Sequence, residues 1–113
     1  MKSSKIFVTG GAGFIGSHVV NLLLQRSYQV KVLHLPNEKL DNLADVREQI
    51  ELQTGDITEY SQVIAAMKGC DQVIHLAAVY ALWLPDQELM RRVNVQGTEN
   101  ILRAAKELSL GRV

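Results

Sequence analysis

Short apolar runs alternate with longer amphipathic segments along the 113-residue chain. Residues 5–9, 29–34 and 72–77 are rich in apolar side chains and have the length of buried strands. Residues 50–54 alternate between apolar and polar side chains, which is typical of a strand with one wetter face. Pro36 ends the second of these runs. The pattern therefore predicts four strands.

Three of the intervening segments have helical periodicity. They span residues 13–26, 59–67 and 86–108, whereas the polar stretch 37–48 is predicted to be a loop with a helical turn. Gly97 lies on the apolar stripe of the last helix, where a missing side chain would let the backbone approach the sheet closely. The first helix is predicted to pack through Ile15, Val19, Leu22 and Leu23.

The alternation of strands and helices predicts the fold class. Such strands pair in parallel through right-handed crossovers. The expected fold is α/β, a Rossmann-type, three-layer, doubly wound parallel sheet with about four strands in the order 3-2-1-4. Residues 1–113 then form one domain. Arg112 and Val113 resemble the start of another strand, so the sheet is expected to be truncated.

A glycine cluster stands between the first strand and the first helix. Gly10, Gly13 and Gly16 satisfy the pattern T-G-x-x-G-x-x-G, and Gly11 begins the overlapping pattern G-x-G-x-x-G. In a strand–turn–helix setting, such glycines permit a tight turn, the approach of a pyrophosphate and close helix–strand packing. The N–H groups that open the helix then face the phosphates. A dinucleotide, NAD or NADP, is the predicted ligand, and a glycine-rich turn without a ligand is the alternative.

The end of the second strand leaves the choice of cofactor open. An acid there normally binds the ribose hydroxyls of NAD, whereas an arginine nearby accommodates the extra phosphate of NADP. His34, Leu35 and Pro36 occupy this position, and the nearest acid, Glu38, lies beyond the proline. A protonated His34 would suit the extra phosphate. A strand-end histidine that faces solvent is the alternative.

The composition and net charge of the chain limit the classes of binding partner that we expect. Hydrophobic residues make up 47% and charged residues 21% of the chain, and the formal net charge is +0, so neither nucleic acid nor a membrane is an expected partner. No apolar stretch suits a membrane span or a signal peptide, and a cytoplasmic location is expected. The single cysteine, Cys70, is predicted to be buried, and no metal site is predicted. His18 and His75 are predicted to be hydrogen-bonded core residues.

Four further segments, together with the glycine cluster, carry a family resemblance. They are TGDIT at 54–58, KGCDQVIHLAA at 68–78, YALWLP at 80–85 and RVNVQGTENIL at 92–102. The chain resembles the N-terminal portion of extended short-chain dehydrogenases/reductases, the NAD-dependent epimerase/dehydratase superfamily. Residues 77–102 are most similar to the dihydroflavonol-reductase-like branch, which includes hopanoid-associated sugar epimerases. The resemblance implies an NAD(P)-binding portion of an oxidoreductase or epimerase, with a small-molecule substrate only in a full-length form.

The resemblance also implies which residues meet the cofactor. Asp56 and Ile57 match a pair that lies against the adenine ring, and the alternative for Asp56 is a helix cap. Residues 76–78 match a strand end beneath the ribose, and the alternative is close packing of a central strand. With His34 included, the predicted cofactor-binding residues are Gly10, Gly13, Phe14, Ile15, Gly16, His34, Asp56, Ile57, Leu76, Ala77 and Ala78.

Three residues near the last helix are implied to serve the substrate and the chemistry. Tyr80 and Trp83 fall where the branch lines its substrate pocket, and half-buried loop aromatics are the alternative. Asn94 matches a helix asparagine that helps to order a water near the catalytic lysine. Its alternative is an asparagine that caps or stabilises a kink within the helix.

No catalytic residue is predicted within the chain. The family's chemistry uses a Tyr-x-x-x-Lys pair, in which the lysine lowers the pKa of the tyrosine. None of Tyr28, Tyr60 and Tyr80 is followed by lysine four residues later. The chain is therefore expected to be a truncated cofactor-binding portion without activity of its own. The alternative is a non-catalytic nucleotide-sensing or protein-interaction module with a degenerate Rossmann unit.

The predicted truncation leaves the fourth strand, QVIHLAA, at an edge of the sheet. An apolar parallel edge with unpaired backbone groups promotes association between chains. We therefore expect the isolated chain to be marginally stable or to self-associate through this edge.

Overall fold

Four parallel strands form the centre of the fold. The computed structural model of the chain describes residues 4–76 and 92–110. The strands lie in the order β3-β2-β1-β4, which confirms the predicted α/β topology. In register, Thr9 of β1 lies between Leu33 of β2 and His75 of β4, so the carboxyl ends of these strands meet at one edge. The strands are β1 (Lys5–Thr9), β2 (Gln29–His34), β3 (Glu51–Thr54) and β4 (Gln72–His75).

Helical segments connect the strands and cover both faces of the sheet. The polar stretch after β2 is more regular than predicted, because Asp41–Gln49 forms a 3₁₀ helix. The last helical segment begins, within the described residues, with a π-helical turn at Arg92–Gln96. The predicted beginning of that segment at 86–91 and the predicted strand at Arg112 lie outside the described residues. The α-helices are α1 (Phe14–Gln25), α2 (Tyr60–Met67) and α3 (Gly97–Glu107).

Two apolar clusters, one on each face of the sheet, hold the layers together. Alternate residues of β1 contribute to opposite clusters, since Phe7 belongs to one and Ile6 and Val8 to the other. The first cluster packs the sheet against α2 and α3, and Cys70 lies in it as predicted. Burial raises the pKa of the Cys70 thiol, so this group is a small hydrophobic side chain at neutral pH. The second cluster packs the sheet against α1 and the 3₁₀ helix.

The packing face of α1 differs from the predicted one. Ile15 is 70% exposed and Leu22 is 48% exposed, although the periodicity predicts both on the buried face. The residues of α1 that are buried are Gly16, Ser17 and Val20. The physical reason is the contact between Gly16 and the glycine turn before the helix, which sets the rotation of the helix about its axis.

Gly97 permits a close approach, but of a loop and not of the sheet. A Cβ atom on Gly97 would lie 2.5 Å from Cδ1 of Ile57, in the segment between β3 and α2. The side chain of Asn100, one turn along α3, donates a buried hydrogen bond of 2.8 Å to the carbonyl oxygen of Ile57. The start of α3 therefore packs against this segment through both a steric contact and a hydrogen bond.

Candidate functional site

The glycine turn after β1 is the centre of the candidate site. Gly10 has a φ of 74°, a conformation that side-chain-bearing residues rarely adopt. A Cβ atom on Gly16 would lie 1.8 Å from the carbonyl oxygen of Gly10 and 2.9 Å from Cα of Gly11, so no side chain fits there. The fold itself therefore requires glycine at both positions.

Gly13 is different, because nothing in the described part of the chain excludes a side chain there. Its φ of −74° and ψ of 175° are extended values open to any residue. A Cβ atom would meet only the carbonyl oxygen of Gly10, at an ordinary contact distance of 3.5 Å. Gly13 is also exposed. The missing side chain at this position leaves room for a group that approaches the loop from outside.

The N-terminus of α1 opens directly onto this loop. Gly13 is the N-cap residue and offers no capping side chain, and the first turn contains no acid. The first N–H groups of a helix lack intrahelical partners and carry the positive end of the helix dipole, so they attract an anion. Phe14, 73% exposed, and Ile15 stand beside this opening.

His18 lies one turn further along α1 and does not have the predicted buried position. Its side chain is exposed and packs edge-on against Phe14, with ring centroids 4.8 Å apart. The prediction of a core histidine was wrong here, because the rotation of α1 turns this part of the helix towards solvent.

The 3₁₀ helix supports the glycine loop in a way that the sequence did not reveal. The side chain of Asn42 donates a hydrogen bond of 3.1 Å to the carbonyl oxygen of Ala12. The two residues are 30 positions apart, and Asn42 lies in a polar stretch without a motif. Within α1, the hydroxyl of Ser17 bonds to the carbonyl oxygen of Phe14 at 2.9 Å and strengthens the first turn.

His75 joins the ends of β1 and β4 to the start of α3. Its Nδ1 lies 2.6 Å from Oγ1 of Thr9, and its Nε2 lies 3.1 Å from Oγ1 of Thr98. Thr98 donates its hydroxyl proton to the carbonyl oxygen of Asn94 at 2.6 Å. Because the Thr98 hydroxyl proton is already used, Nε2 of His75 must donate to Oγ1 of Thr98. Nδ1 of the neutral His75 ring is then an acceptor for the Thr9 hydroxyl.

The predicted structural role of His75 agrees with this arrangement. Burial lowers the pKa of the His75 imidazole, so the ring stays neutral at physiological pH. The backbone N–H of Leu76 adds hydrogen bonds to the carbonyl oxygen and the hydroxyl of Thr9, at 3.0 Å and 3.1 Å. These bonds hold together the two strand ends between which a ligand of a doubly wound sheet binds.

Asp56 and Ile57 lie beside this crevice, at the end of β3. Oδ1 of Asp56 accepts hydrogen bonds from the backbone N–H and the hydroxyl of Thr58, at 2.9 Å and 2.8 Å. The N-cap residue of α2 is Glu59, so Asp56 closes the turn before the helix and does not cap its first residue. The side chain of Ile57 is buried against Gly97.

The end of β2 carries His34 in a half-buried position. Its Nδ1 lies 2.9 Å from the carbonyl oxygen of Leu35. Its own carbonyl oxygen accepts a hydrogen bond of 2.8 Å from the N–H of Gly55, which ties the end of β2 to the end of β3. His34 therefore stands at the same edge of the sheet as the glycine loop.

The structure describes some of the other predicted site residues and not others. Asn94 lies in the π-helical turn, where its carbonyl oxygen receives the Thr98 hydroxyl. Ala77, Ala78, Tyr80 and Trp83 lie outside the described residues.

Tyr60 has surroundings unlike those of a catalytic tyrosine. Its hydroxyl donates a hydrogen bond to Glu107, and the guanidinium of Arg103 lies 4.1 Å from the centre of its ring. The bond to Glu107 raises the pKa of Tyr60, whereas a tyrosine general acid–base group needs a lowered pKa. The three side chains connect α2 to α3.

Comparisons with known proteins agree with this geometry. A family model described as "NAD dependent epimerase/dehydratase family" matches residues 6–113, and the chain belongs to this family. A Synechocystis sp. protein named "Putative dihydroflavonol 4-reductase" is 40% identical over 106 residues, which are 94% of this chain and 30% of that protein. The resemblance to the superfamily is thereby confirmed.

Two solved structures have a similar fold. The dTDP-glucose 4,6-dehydratase DesIV of Streptomyces venezuelae, with NAD and TYD bound, is 34% identical with a TM-score of 0.84, over 96% of this chain and 38% of that one. The UDP-glucose 4-epimerase of Thermus thermophilus, in complex with NAD, is 33% identical with a TM-score of 0.82, over 94% and 35%. The chain thus spans about a third of the length of these relatives.

Among residues 4–76 and 92–110, the structure contains no helix with the length and the apolar character of a membrane span.

Proposed function

We propose that the chain binds a nicotinamide dinucleotide, NAD or NADP, with its pyrophosphate on the loop from Gly10 to Gly16. The observation that carries this proposal is the open space at Gly13, which the fold does not need but an approaching phosphate does. The exposed N-terminus of α1 supplies N–H donors beside that space. The NAD-bound relatives of similar fold support the same ligand.

The remaining cofactor contacts follow from the positions of the strand ends. His34, at the end of β2, would meet the adenosine ribose. Asp56 is half-buried, and its Oδ2 has no partner among the described residues, so it is available to the exocyclic amine of adenine. Leu76, Ala77 and Ala78 follow β4 in the sequence, and by the family resemblance they would pass beneath the other ribose. The buried side chain of Ile57 would act through its packing on α3.

For the whole protein we propose hydride transfer between the nicotinamide and a small-molecule substrate. Residues 1–113 would form the N-terminal part of its NAD(P)-binding domain, and the cofactor would supply the redox chemistry. The reaction class is either nucleotide-sugar epimerisation or dehydration, or ketone reduction of the dihydroflavonol type. Tyr80 and Trp83 would line the substrate pocket, with Asn94 as a positioning residue. A cytoplasmic location is part of this proposal.

A non-catalytic nucleotide-binding module is the second candidate. Two observations favour it: no tyrosine within residues 1–113 has a lysine four residues later, and the pKa of Tyr60 is raised. Both candidates bind nucleotide, and they differ in the sequence encoded beyond residue 113. A coding frame that continues into a Tyr-x-x-x-Lys motif would establish the enzyme, and a frame without one would favour the module.

Calorimetric titration with NAD, NADP and ADP tests the binding step. We expect heat with at least one dinucleotide, and weaker binding of ADP, because ADP makes fewer contacts. Circular dichroism and a cooperative melting curve establish that the sample is folded. A folded sample that gives no heat with any of the three ligands would contradict the proposal.

A further inference from the structure

The turn after β2 brings an acid back to the end of that strand. The N–H of Glu38 donates a hydrogen bond of 3.1 Å to the carbonyl oxygen of Leu35, which closes a tight turn with Pro36 at its second position. Oε1 of Glu38 also accepts a hydrogen bond of 3.1 Å from the N–H of Leu35. The turn therefore brings the Glu38 carboxylate to the backbone of Leu35, the residue that follows His34, although Glu38 itself comes after the proline in the sequence.

His34 and Glu38 present hydrogen-bond acceptors at this edge. The carbonyl oxygen of Leu35 can only accept, so Nδ1 of His34 carries the proton in their 2.9 Å contact. Nε2 of the neutral ring is then an acceptor. Oε2 of Glu38 has no partner in the described part of the chain and is a second acceptor.

The two forms of the cofactor differ at the 2′ position of the adenosine ribose. The ribose of NAD carries two neighbouring hydroxyls, which can donate to two acceptors. The 2′-phosphate of NADP offers acceptors and negative charge, so a carboxylate repels it. No arginine occurs between residues 27 and 46, and the two lysines of this stretch are Lys31 within β2 and the exposed Lys39.

We propose that Glu38, with His34 beside it, makes the cofactor site selective for the ribose hydroxyls of NAD over the 2′-phosphate of NADP. The inference rests on the proposed dinucleotide-binding function and goes beyond it by naming the selecting residues. Glu38 replaces the acid that normally lies on the strand itself, because the turn at Pro36 returns the Glu38 carboxylate to the strand end.

Titration of NAD and NADP into three forms of the chain tests the inference at about pH 8, where histidine side chains are ordinarily neutral. Glu38→Gln keeps an oxygen for the N–H of Leu35 and removes the negative charge. Glu48→Gln is the matched control, because Glu48 is exposed near the amino end of β3, away from the strand ends that form the site.

The wild-type chain should bind NAD at least about tenfold more tightly than NADP, because a like charge opposes the phosphate. Glu38→Gln should weaken the binding of NAD and strengthen the binding of NADP, so that the preference for NAD over NADP falls by about threefold or more. Glu48→Gln should leave this preference unchanged. Equal or tighter binding of NADP by the wild type, or an unchanged preference in Glu38→Gln, would overturn the inference. A folded chain that binds neither nucleotide would instead contradict the proposed function itself.

Discussion

Gly16 packs directly against Gly10, so that a Cβ atom on Gly16 would stand 1.8 Å from the Gly10 carbonyl oxygen, whereas one on Gly13 would stand 3.5 Å from the same atom. The two positions of this motif are therefore glycine for different physical reasons. Gly16 is needed by the fold, whereas Gly13 is needed only for the proposed approach of the pyrophosphate. The difference allows stability and binding to be separated by two matched substitutions.

Gly16→Ala should destabilise the chain by about 3 kcal/mol or more, because the clash involves backbone atoms that cannot yield without moving the turn. Gly13→Ala should lower the free energy of unfolding by only about 1 kcal/mol or less, because alanine is a poorer N-cap residue than glycine. It should nevertheless weaken dinucleotide binding by about tenfold, since its methyl group occupies the space of the pyrophosphate. Urea denaturation measures the first effect and calorimetry the second. Unaltered binding by Gly13→Ala would show that the loop does not hold the phosphates.

Gly97→Ala tests the contact between α3 and Ile57. Alanine favours a helix by about 1 kcal/mol over glycine, but here its Cβ would lie 2.5 Å from Cδ1 of Ile57, so we expect a net loss of about 1–2 kcal/mol. In an Ile57→Ala background the nearest remaining atom of that side chain is its Cβ, at 3.4 Å. The double variant should therefore lose at least about 0.5 kcal/mol less than the sum of the single variants. Additive losses in chemical denaturation would count against this contact.

The stability of the chain should depend on pH through His75. Burial lowers the pKa of this group in the folded chain below its ordinary value of 6.5, so the unfolded chain binds more protons between those two pKa values. The contribution of the neutral His75 ring to the free energy of unfolding is therefore complete above about pH 6.5, and it is lost as the pH falls towards the pKa of His75 in the folded chain. His75→Gln should show a smaller loss of stability between about pH 7.5 and pH 5.5 than the wild type.

His18→Gln is the control for this measurement, because the His18 side chain is exposed on α1. We expect it to retain the pH dependence of the wild type. Identical pH dependence in His75→Gln and the wild type would mean that burial does not lower the pKa of this ring.

Asn42→Ala should loosen the glycine loop. Loss of the 3.1 Å hydrogen bond to Ala12 should lower the free energy of unfolding by about 0.5–1.5 kcal/mol and weaken dinucleotide binding severalfold. Gln49→Ala removes a side-chain amide from the same 3₁₀ helix at an exposed position and should alter neither quantity. Binding that is equally strong in both variants would show that Asn42 has no influence on the loop.

The side of β4 that has no strand partner among the described residues should lead to self-association. In the described sheet, β4 pairs with β1 on one side only, through the register from Gln72 to His75. An apolar edge with unpaired backbone groups favours pairing with another chain. Light scattering of the 113-residue chain should show a mass that rises with concentration. A monomer that melts sharply at high concentration would contradict this expectation.

The sequence by itself determined the strands, their order and the glycine turn after β1. β1 and β2 have the predicted bounds, and the order 3-2-1-4 follows from right-handed crossovers between parallel strands. These features are local or topological: a periodic pattern of apolar residues marks an element, and glycine marks a turn. The predicted burial of Cys70 belongs to the same class, because it follows from residue type and position before a strand.

Only the tertiary structure decided which residues meet across the fold. The rotation of α1 exposes Ile15 and His18, the turn at Pro36 returns Glu38 to the end of β2, and α3 brings Gly97 against Ile57. The tautomer of His75 likewise depends on Thr98, which is 23 residues away. Hydrophobic periodicity specifies which side chains leave water, but not which partner they find. That choice depends on how segments distant in sequence pack against one another.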